Sequence, residues 1–360
     1  PPTGTVGYCT GNLPVADAVD PAQTNTDYPQ KLFNPLLYTG TGSSNARTGL
    51  GFKPDLTWIK ERSGANDHKL TDSTRGVTKS LESNEGTAEA TDSNGLTAFG
   101  TDGFTVGSDV IYNNENETYV SWNWRLNGGT TSSNTEGALT STVQVDPSGG
   151  FSIAKYTSNG SGSSFGHGLA ATPSFLVVKK IDNQARNWAA WHKDFPTPTT
   201  GYMLFNLTNA VQDDTLWNNT APTSTVINVQ NGTTEVNNPS GDSYICYSFT
   251  NIEGYIKSGS YEGNGNADGT FVYTGFRPAL IMTKSVDSTS NWQMFDDTRV
   301  GYNVDNNALV ANSTAAETTT DMIDILSNGF KMRIATDPNV AETYVYLAIA
   351  HNPFQYATAR

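Results

Sequence analysis

Hydrophobic residues recur at every second position in several short runs of this chain. Across 119–124, Val120, Trp122 and Trp124 share one side of an extended segment, while Tyr119, Ser121 and Asn123 share the other. Ile245, Tyr247 and Phe249 repeat the apolar side, and Val345, Leu347 and Ile349 repeat it again. Period-two alternation is what a β-strand with a buried face requires, because successive side chains leave the backbone on opposite sides. The Ala, Leu, Glu and Lys blocks that sustain helices are missing.

The landmarks around these strands return three times in the same order. Tyr38-Thr39-Gly40-Thr41-Gly42, Tyr156-Thr157-Ser158-Asn159-Gly160 and Tyr261-Glu262-Gly263-Asn264-Gly265 open the copies. Each continues through a Gly-rich turn to a proline (Pro54, Pro173, Pro278) and then an apolar strand ending in a lysine (Lys60, Lys179, Lys284). A proline is tolerated where a strand begins, since its missing N–H leaves no ladder bond unmade. Gly103-Phe104 and Gly329-Phe330 follow Asp102 and Asn328 and read as tight turns that launch another strand. The period, roughly 110 residues, exceeds a solenoid repeat and suits a small domain.

The expected fold is therefore all-β: three tandem small β-sandwich modules of about seven or eight short strands, each closed round its own aromatic interior. The expected boundaries are 33–128, 129–250 and 251–360, after an extended, proline-dotted leader over 1–32. Residues 139–145 should add a strand to the second module. The short junction near 250–254 should bring the second and third modules into close packing. A chain opening on Pro1 is not a translated start, so a preceding segment is expected.

Composition narrows the function. The net charge is −14, with 36% hydrophobic and 16% charged residues. Phosphate binding needs clustered Lys and Arg, so nucleic acid is not an expected partner; anionic lipid is disfavoured on the same ground. No apolar run is long enough to span a bilayer, and no membrane insertion is expected. The 16 Tyr, 15 Phe and 7 Trp can fill small cores despite modest aliphatic content. Cys9 and Cys246 cannot make a disulfide framework and suit assembly in a reducing compartment.

Candidate chemistry is sparse. Asp72 and Arg75 recur at the same spacing as Asp296 and Arg299. They read either as a ligand clamp or as a structural ion pair, and recurrence favours the structural role, because fold elements are what duplication repeats. The second module lacks this pair and places Trp188, Trp191, His192 and Phe195 in the aligned stretch. Trp191, His192 and Trp217 stand near loop-like sequence and are the candidates for exposed aromatics that stack on sugar rings. The three strand-ending lysines read as ion-pair partners between modules or subunits, or as solvated strand ends. The run from Asn264 to Gly269 reads as a turn rather than a calcium loop. The histidines form no metal spacing, a nucleophile elbow is not supported, and no carboxylate pair stands out; no metal, cofactor or catalytic residue is expected.

Several of these runs are similar to a known family. Tyr38 to Gly42, the stretch 48–60, Asp72-Ser73-Thr74-Arg75-Gly76 and Asp102 to Gly107 resemble a large family of uncharacterised bacteriophage and prophage proteins abundant in marine phages. The ending from Ala350 to Arg360 resembles that family's C-terminus, and the leader from Pro2 to Pro14 resembles a connector that follows a SPRY-like sandwich in longer members. The resemblance implies a non-enzymatic virion structural protein, first of all a tail-fibre or appendage adhesin touching host glycan. It implies other virion proteins as partners and a homo-oligomer, with a trimer favoured. A capsid-decorating or fibre-shaft role, a polysaccharide depolymerase and a bacterial adhesin are the alternatives.

Overall fold

The computed structural model describes residues 31–350 except 183, 231–234, 300–302 and 304–306. The leader over 1–30, Cys9 and the C-terminal motif from His351 lie outside the described residues. Within them the chain is β throughout, with one helical turn at Val110–Asn113.

Twelve strands, numbered here in chain order, form the four-strand units common to the three main sheets. The first repeat supplies β1 (Phe33–Thr39), β2 (Leu56–Glu61), β3 (Lys69–Asp72) and β4 (Thr118–Trp124). The second supplies β5 (Phe151–Thr157), β6 (Phe175–Lys180), β7 (Ala189–His192) and β8 (Ser243–Phe249). The third supplies β9 (Ile256–Glu262), β10 (Pro278–Ser285), β11 (Gln293–Asp296) and β12 (Thr343–Ala350). The strand order is the same each time: β1-β4-β2-β3, β5-β8-β6-β7 and β9-β12-β10-β11, all antiparallel. The second sheet is extended at one edge by Ser132–Asn134 and Ser141–Val145, so part of the stretch expected over 139–145 does join it.

A smaller sheet covers the outer face of each main sheet. In the first repeat it comprises Asn45–Thr48, Gly103–Val106 and Leu96–Gly100; in the third, Phe271–Tyr273, Gly329–Met332 and Ile323–Leu326, in the same order. The second repeat keeps only a pair, Ser163–Gly166 with Val226–Val229. The Gly-Phe turns launch strands as expected, and the glycines are needed for close approach. A Cβ at Gly103 would lie 1.9 Å from the Arg47 carbonyl oxygen, and one at Gly329 2.0 Å from that of Val272.

The sheets do not close three separate interiors. Each repeat has its own outer cluster, such as Tyr38, Leu50, Phe104 and Tyr119 in the first. The largest cluster is common to all three repeats. Into it point the alternating residues Val120, Trp122 and Trp124, with Ile245, Tyr247 and Phe249, and Val345, Leu347 and Ile349. The expectation of a private interior for each module holds only for the outer layer. The alternation identifies a buried face but carries no information on which sheet lies opposite it. At the centre is a wholly apolar cavity of about 40 Å³, walled by the equivalent residues Leu56, Phe175 and Leu280 and by Trp58, Val177 and Met282. Burial of side chains this large contributes about 1.5–3 kcal/mol each, and in this chain that burial is shared between repeats.

Loop contacts run cyclically. Glu89 N–H donates to the Ile181 carbonyl (3.1 Å), Val211 N–H to that of Val286 (3.0 Å) and Glu317 N–H to that of Arg62 (2.9 Å). The first repeat thus docks on the second, the second on the third, and the third on the first.

Candidate functional site

Asp72 ends β3 and turns the chain through Thr74 so that Arg75 folds back on it. Asp72 Oδ1 accepts the Arg75 backbone N–H (2.9 Å), and Arg75 Nε donates to Asp72 Oδ2 (2.5 Å). Arg75 Nη2 donates to the Leu70 carbonyl (2.9 Å), and Glu89 lies 3.3 Å from Nη1. Both side chains of the pair are almost fully excluded from solvent. Asp296 and Arg299 reproduce the arrangement: Arg299 Nε donates to Asp296 Oδ2 (2.6 Å), Nη2 to the Met294 carbonyl (2.9 Å) and Nη1 to Glu317 (3.0 Å). Both recurring pairs are buried ion pairs within their own turns.

Their second partner comes from another repeat. Tyr247 in β8 donates its hydroxyl to Asp72 Oδ2 (2.7 Å), and Trp122 in β4 donates its indole N–H to Asp296 Oδ2 (2.9 Å). Tyr247 and Trp122 occupy the same place in their strands. Each lock therefore reads the middle of the neighbouring closing strand, the first from the second repeat and the third from the first. Glu317 adds a bridge, accepting from Arg62 of the first repeat at 3.0 and 2.8 Å as well as from Arg299. Burial alone raises this carboxyl, but the two guanidiniums outweigh it and hold it below its ordinary value.

The second repeat shows what happens without a donor. Its neighbour presents Leu347 at that position. Opposite Phe175 in β6 stands His192, where Asp72 and Asp296 stand opposite Leu56 and Leu280. Phe195 replaces the arginine, and Val211 replaces the glutamate. A carboxylate facing an aliphatic side chain in this core would be buried without compensation. His192 instead donates from Nε2 to the Tyr346 carbonyl of the third repeat (3.3 Å) and accepts the Asp194 N–H on Nδ1 (3.1 Å).

The proposed sugar-stacking aromatics need correction. Trp191 is 2% exposed, His192 1% and Trp217 0%. Trp191 and Trp217 fill the second repeat's outer core. Their indole N–H groups donate to loop carbonyls, Pro198 (2.7 Å) and Gly201 (3.0 Å), so loop-like flanking sequence reflects capture of the loop, not exposure. Lys60, Lys179 and Lys284 are buried, not solvated, and none forms an ion pair among the described residues. Lys60 Nζ donates to the Glu61 and Gly64 carbonyls (2.6 and 3.1 Å), and Lys284 Nζ to those of Ser285 and Ser288 (2.9 and 3.4 Å). Lys179 reaches into the first repeat, to the Gly86 carbonyl (2.8 Å). Burial lowers the ammonium pKa to about 8, 7 and 8 at Lys60, Lys179 and Lys284.

Exposed aromatic surface lies elsewhere, on the third repeat. Phe271 and Tyr273 flank the buried Val272 on an edge strand of the outer sheet and are 46% and 59% exposed. Beside Tyr273 is a groove of about 390 Å³ whose wall includes Asn251, Glu253, Ile256, Lys257 and Tyr273. Lys257 Nζ sits 5.4 Å from the Tyr273 ring centroid. Sequence reading missed this pair, although one signal was available: the aligned strand Asn45–Thr48 has no aromatic, and Phe165 in Ser163–Gly166 is buried. Among the described residues no group of three His, Cys, Asp or Glu side chains could hold a metal ion.

No curated protein matches the chain. A family described as a domain of unknown function, DUF7483, matches residues 28–353, a span that takes in all three repeats. With that match covering most of its length, the chain belongs to the DUF7483 family.

Proposed function

We propose that this chain is a non-enzymatic structural protein of a bacteriophage particle, displayed on its surface as a tail-fibre or appendage adhesin that meets host glycan. The observation that carries the reading is the shared core. The inward faces of all three sheets are consumed by one shared apolar interior, and buried locks join neighbouring repeats. Such a body holds its outward loops in fixed relative positions, which suits a display element that bears load better than a hinged enzyme cleft. The motif resemblance to phage proteins and the strongly acidic composition point the same way. Assembly with other virion proteins, and into a homo-oligomer such as a trimer, would use the outer surfaces.

Labelling the chain on intact particles tests the proposal. Label at a fibre or appendage tip, together with competition of host attachment by the purified chain, is the expected result. Label spread over the shell or along a shaft, without competition, replaces the adhesin role with a decorating or shaft role. Release of new reducing ends from host polysaccharide overturns the non-enzymatic reading.

A further inference from the structure

We propose that the groove beside Tyr273 is a saccharide-binding site of this chain, taking a neutral pyranose with vicinal hydroxyls; the proposal rests on the adhesin reading and gives its glycan contact an address. Three observations converge there. Single exposed aliphatic residues, such as Val110 and Leu207, are ordinary on a protein surface. Phe271 and Tyr273 differ, being two large aromatics on the same face of one strand, about 7 Å apart by strand geometry. An aromatic face offers a sugar's C–H face what water cannot, an apolar plane of matching size.

The groove also contains the polar groups a sugar needs. Lys257 is a donor and Glu253 an acceptor, while the Asn251 amide shapes the wall through Ser258, donating to its carbonyl (3.3 Å) and accepting its N–H (2.7 Å). Among the described residues neither Lys257 nor Glu253 forms an ion pair with any other group. One cation and one carboxylate in the same groove cancel, which favours a neutral ring over an acidic one. A volume near 390 Å³ is within the range of small-ligand sites, about 300–1,000 Å³.

The third observation comes from the repeat. The buried locks, the capped lysines and the core positions recur because the fold needs them. The aromatic pair does not recur, and nothing in the packing requires it: Val272 alone fills the inward position. A feature of one repeat only, exposed and costly to keep in water, is what a binding role predicts.

The test is binding of the full chain to immobilised neutral hexose and N-acetylhexosamine oligosaccharides, with uronic-acid oligosaccharides as a second arm. The expected result is retention on a neutral glycan that Tyr273→Ala weakens by about tenfold and Lys257→Met weakens less, both variants melting as the parent does. Trp191→Phe, in the buried second-repeat core, should leave binding unchanged. Preference for the uronic-acid arm overturns the neutral assignment. Equal binding by Tyr273→Ala, or no glycan retained at all, overturns the site. Attachment of the chain to host cells, measured alongside, separates the two levels: cells bound equally by parent and Tyr273→Ala sink the groove and spare the adhesin, whereas no attachment by either sinks the adhesin reading itself.

Discussion

The buried histidines show how finely single residues are specified. His68 accepts the Trp58 indole N–H on Nδ1 (2.8 Å) and donates from Nε2 to the Val310 carbonyl of the third repeat (3.0 Å). His192 has the same pattern, with a backbone N–H on Nδ1 and a carbonyl on Nε2. A proton added at Nδ1 would face a donor in both cases, so the neutral tautomer is built in. Burial, reinforced at His68 by Lys60, lowers the pKa to about 3 there; at His192 burial lowers it to about 4 against the opposing pull of Asp194. In the unfolded chain both titrate near 6.5. Between those limits the unfolded state binds more protons, so stability is full above about pH 6.5 and declines as pH falls, by up to about 1.4 kcal/mol per unit per histidine. Asp146, raised to about 6 by burial, works in the opposite sense between pH 6 and 3.8. The measurement is therefore a comparison: melting temperature from pH 7 to 4 should fall less steeply in the variant His68→Asn/His192→Asn than in the parent. Parallel slopes would mean that neither ring is held neutral.

Arg299 makes the second residue-scale case. Its removal leaves Asp296 buried against the Trp122 indole with no cation, and breaking a buried pair in this way costs about 3–5 kcal/mol. Arg299→Ala should therefore lower the denaturation midpoint far more than Lys331→Ala, which removes the surface bridge to the exposed Asp268. Similar losses for the two would remove the special status of the lock.

At the scale of elements, the closing strands β4, β8 and β12 and the turns after β3, β7 and β11 form matched sets. Tyr247 goes with Asp72, Arg75 and Glu89, and Trp122 with Asp296, Arg299 and Glu317. Leu347 goes with His192, Phe195 and Val211. The matching predicts compensation. Tyr247→Leu alone removes one buried donor from Asp72 Oδ2 and leaves Arg75 as its remaining side-chain partner, at a cost of about 1–3 kcal/mol. The same change combined with Asp72→His and Arg75→Phe should recover part of that loss, giving a favourable coupling in a mutant cycle read by denaturant midpoints. Strict additivity would show that the three sets differ by drift and not by mutual fit.

The elements also mark where sequence reading stops. Strand faces were legible in 119–124 and its relatives because alternation is a local property. Asp72–Arg75 and Asp296–Arg299 were legible as structural pairs because they repeat. The donors were not, since Tyr247 lies 175 residues from Asp72 and Trp122 lies 174 from Asp296, and no local pattern encodes such a meeting. Trp191 and Trp217 misled for a related reason. A tryptophan beside loop residues looks exposed until its N–H is found holding the loop in place. Tyr273 was overlooked because one aromatic among many is distinguished only by what its strand does not pack against.

For the whole molecule, the shared interior decides how the protein behaves. Sandwiches strung together with private cores would melt one by one and tolerate separation. Here the second repeat alone would expose Phe175, Val177, Tyr247 and Phe249 to water, and each of the others would do likewise. The cyclic loop contacts tie each repeat to both neighbours, so loss of one repeat should destabilise the remaining two. The surface is then free to vary, which is where the groove at Tyr273 belongs.

Differential scanning calorimetry of the intact chain tests this most directly. One shared core predicts a single transition whose calorimetric enthalpy matches the van't Hoff value. Two or three resolved transitions, or a calorimetric enthalpy several times the van't Hoff value, would show that the repeats fold independently and that the common interior does not bind them into one body.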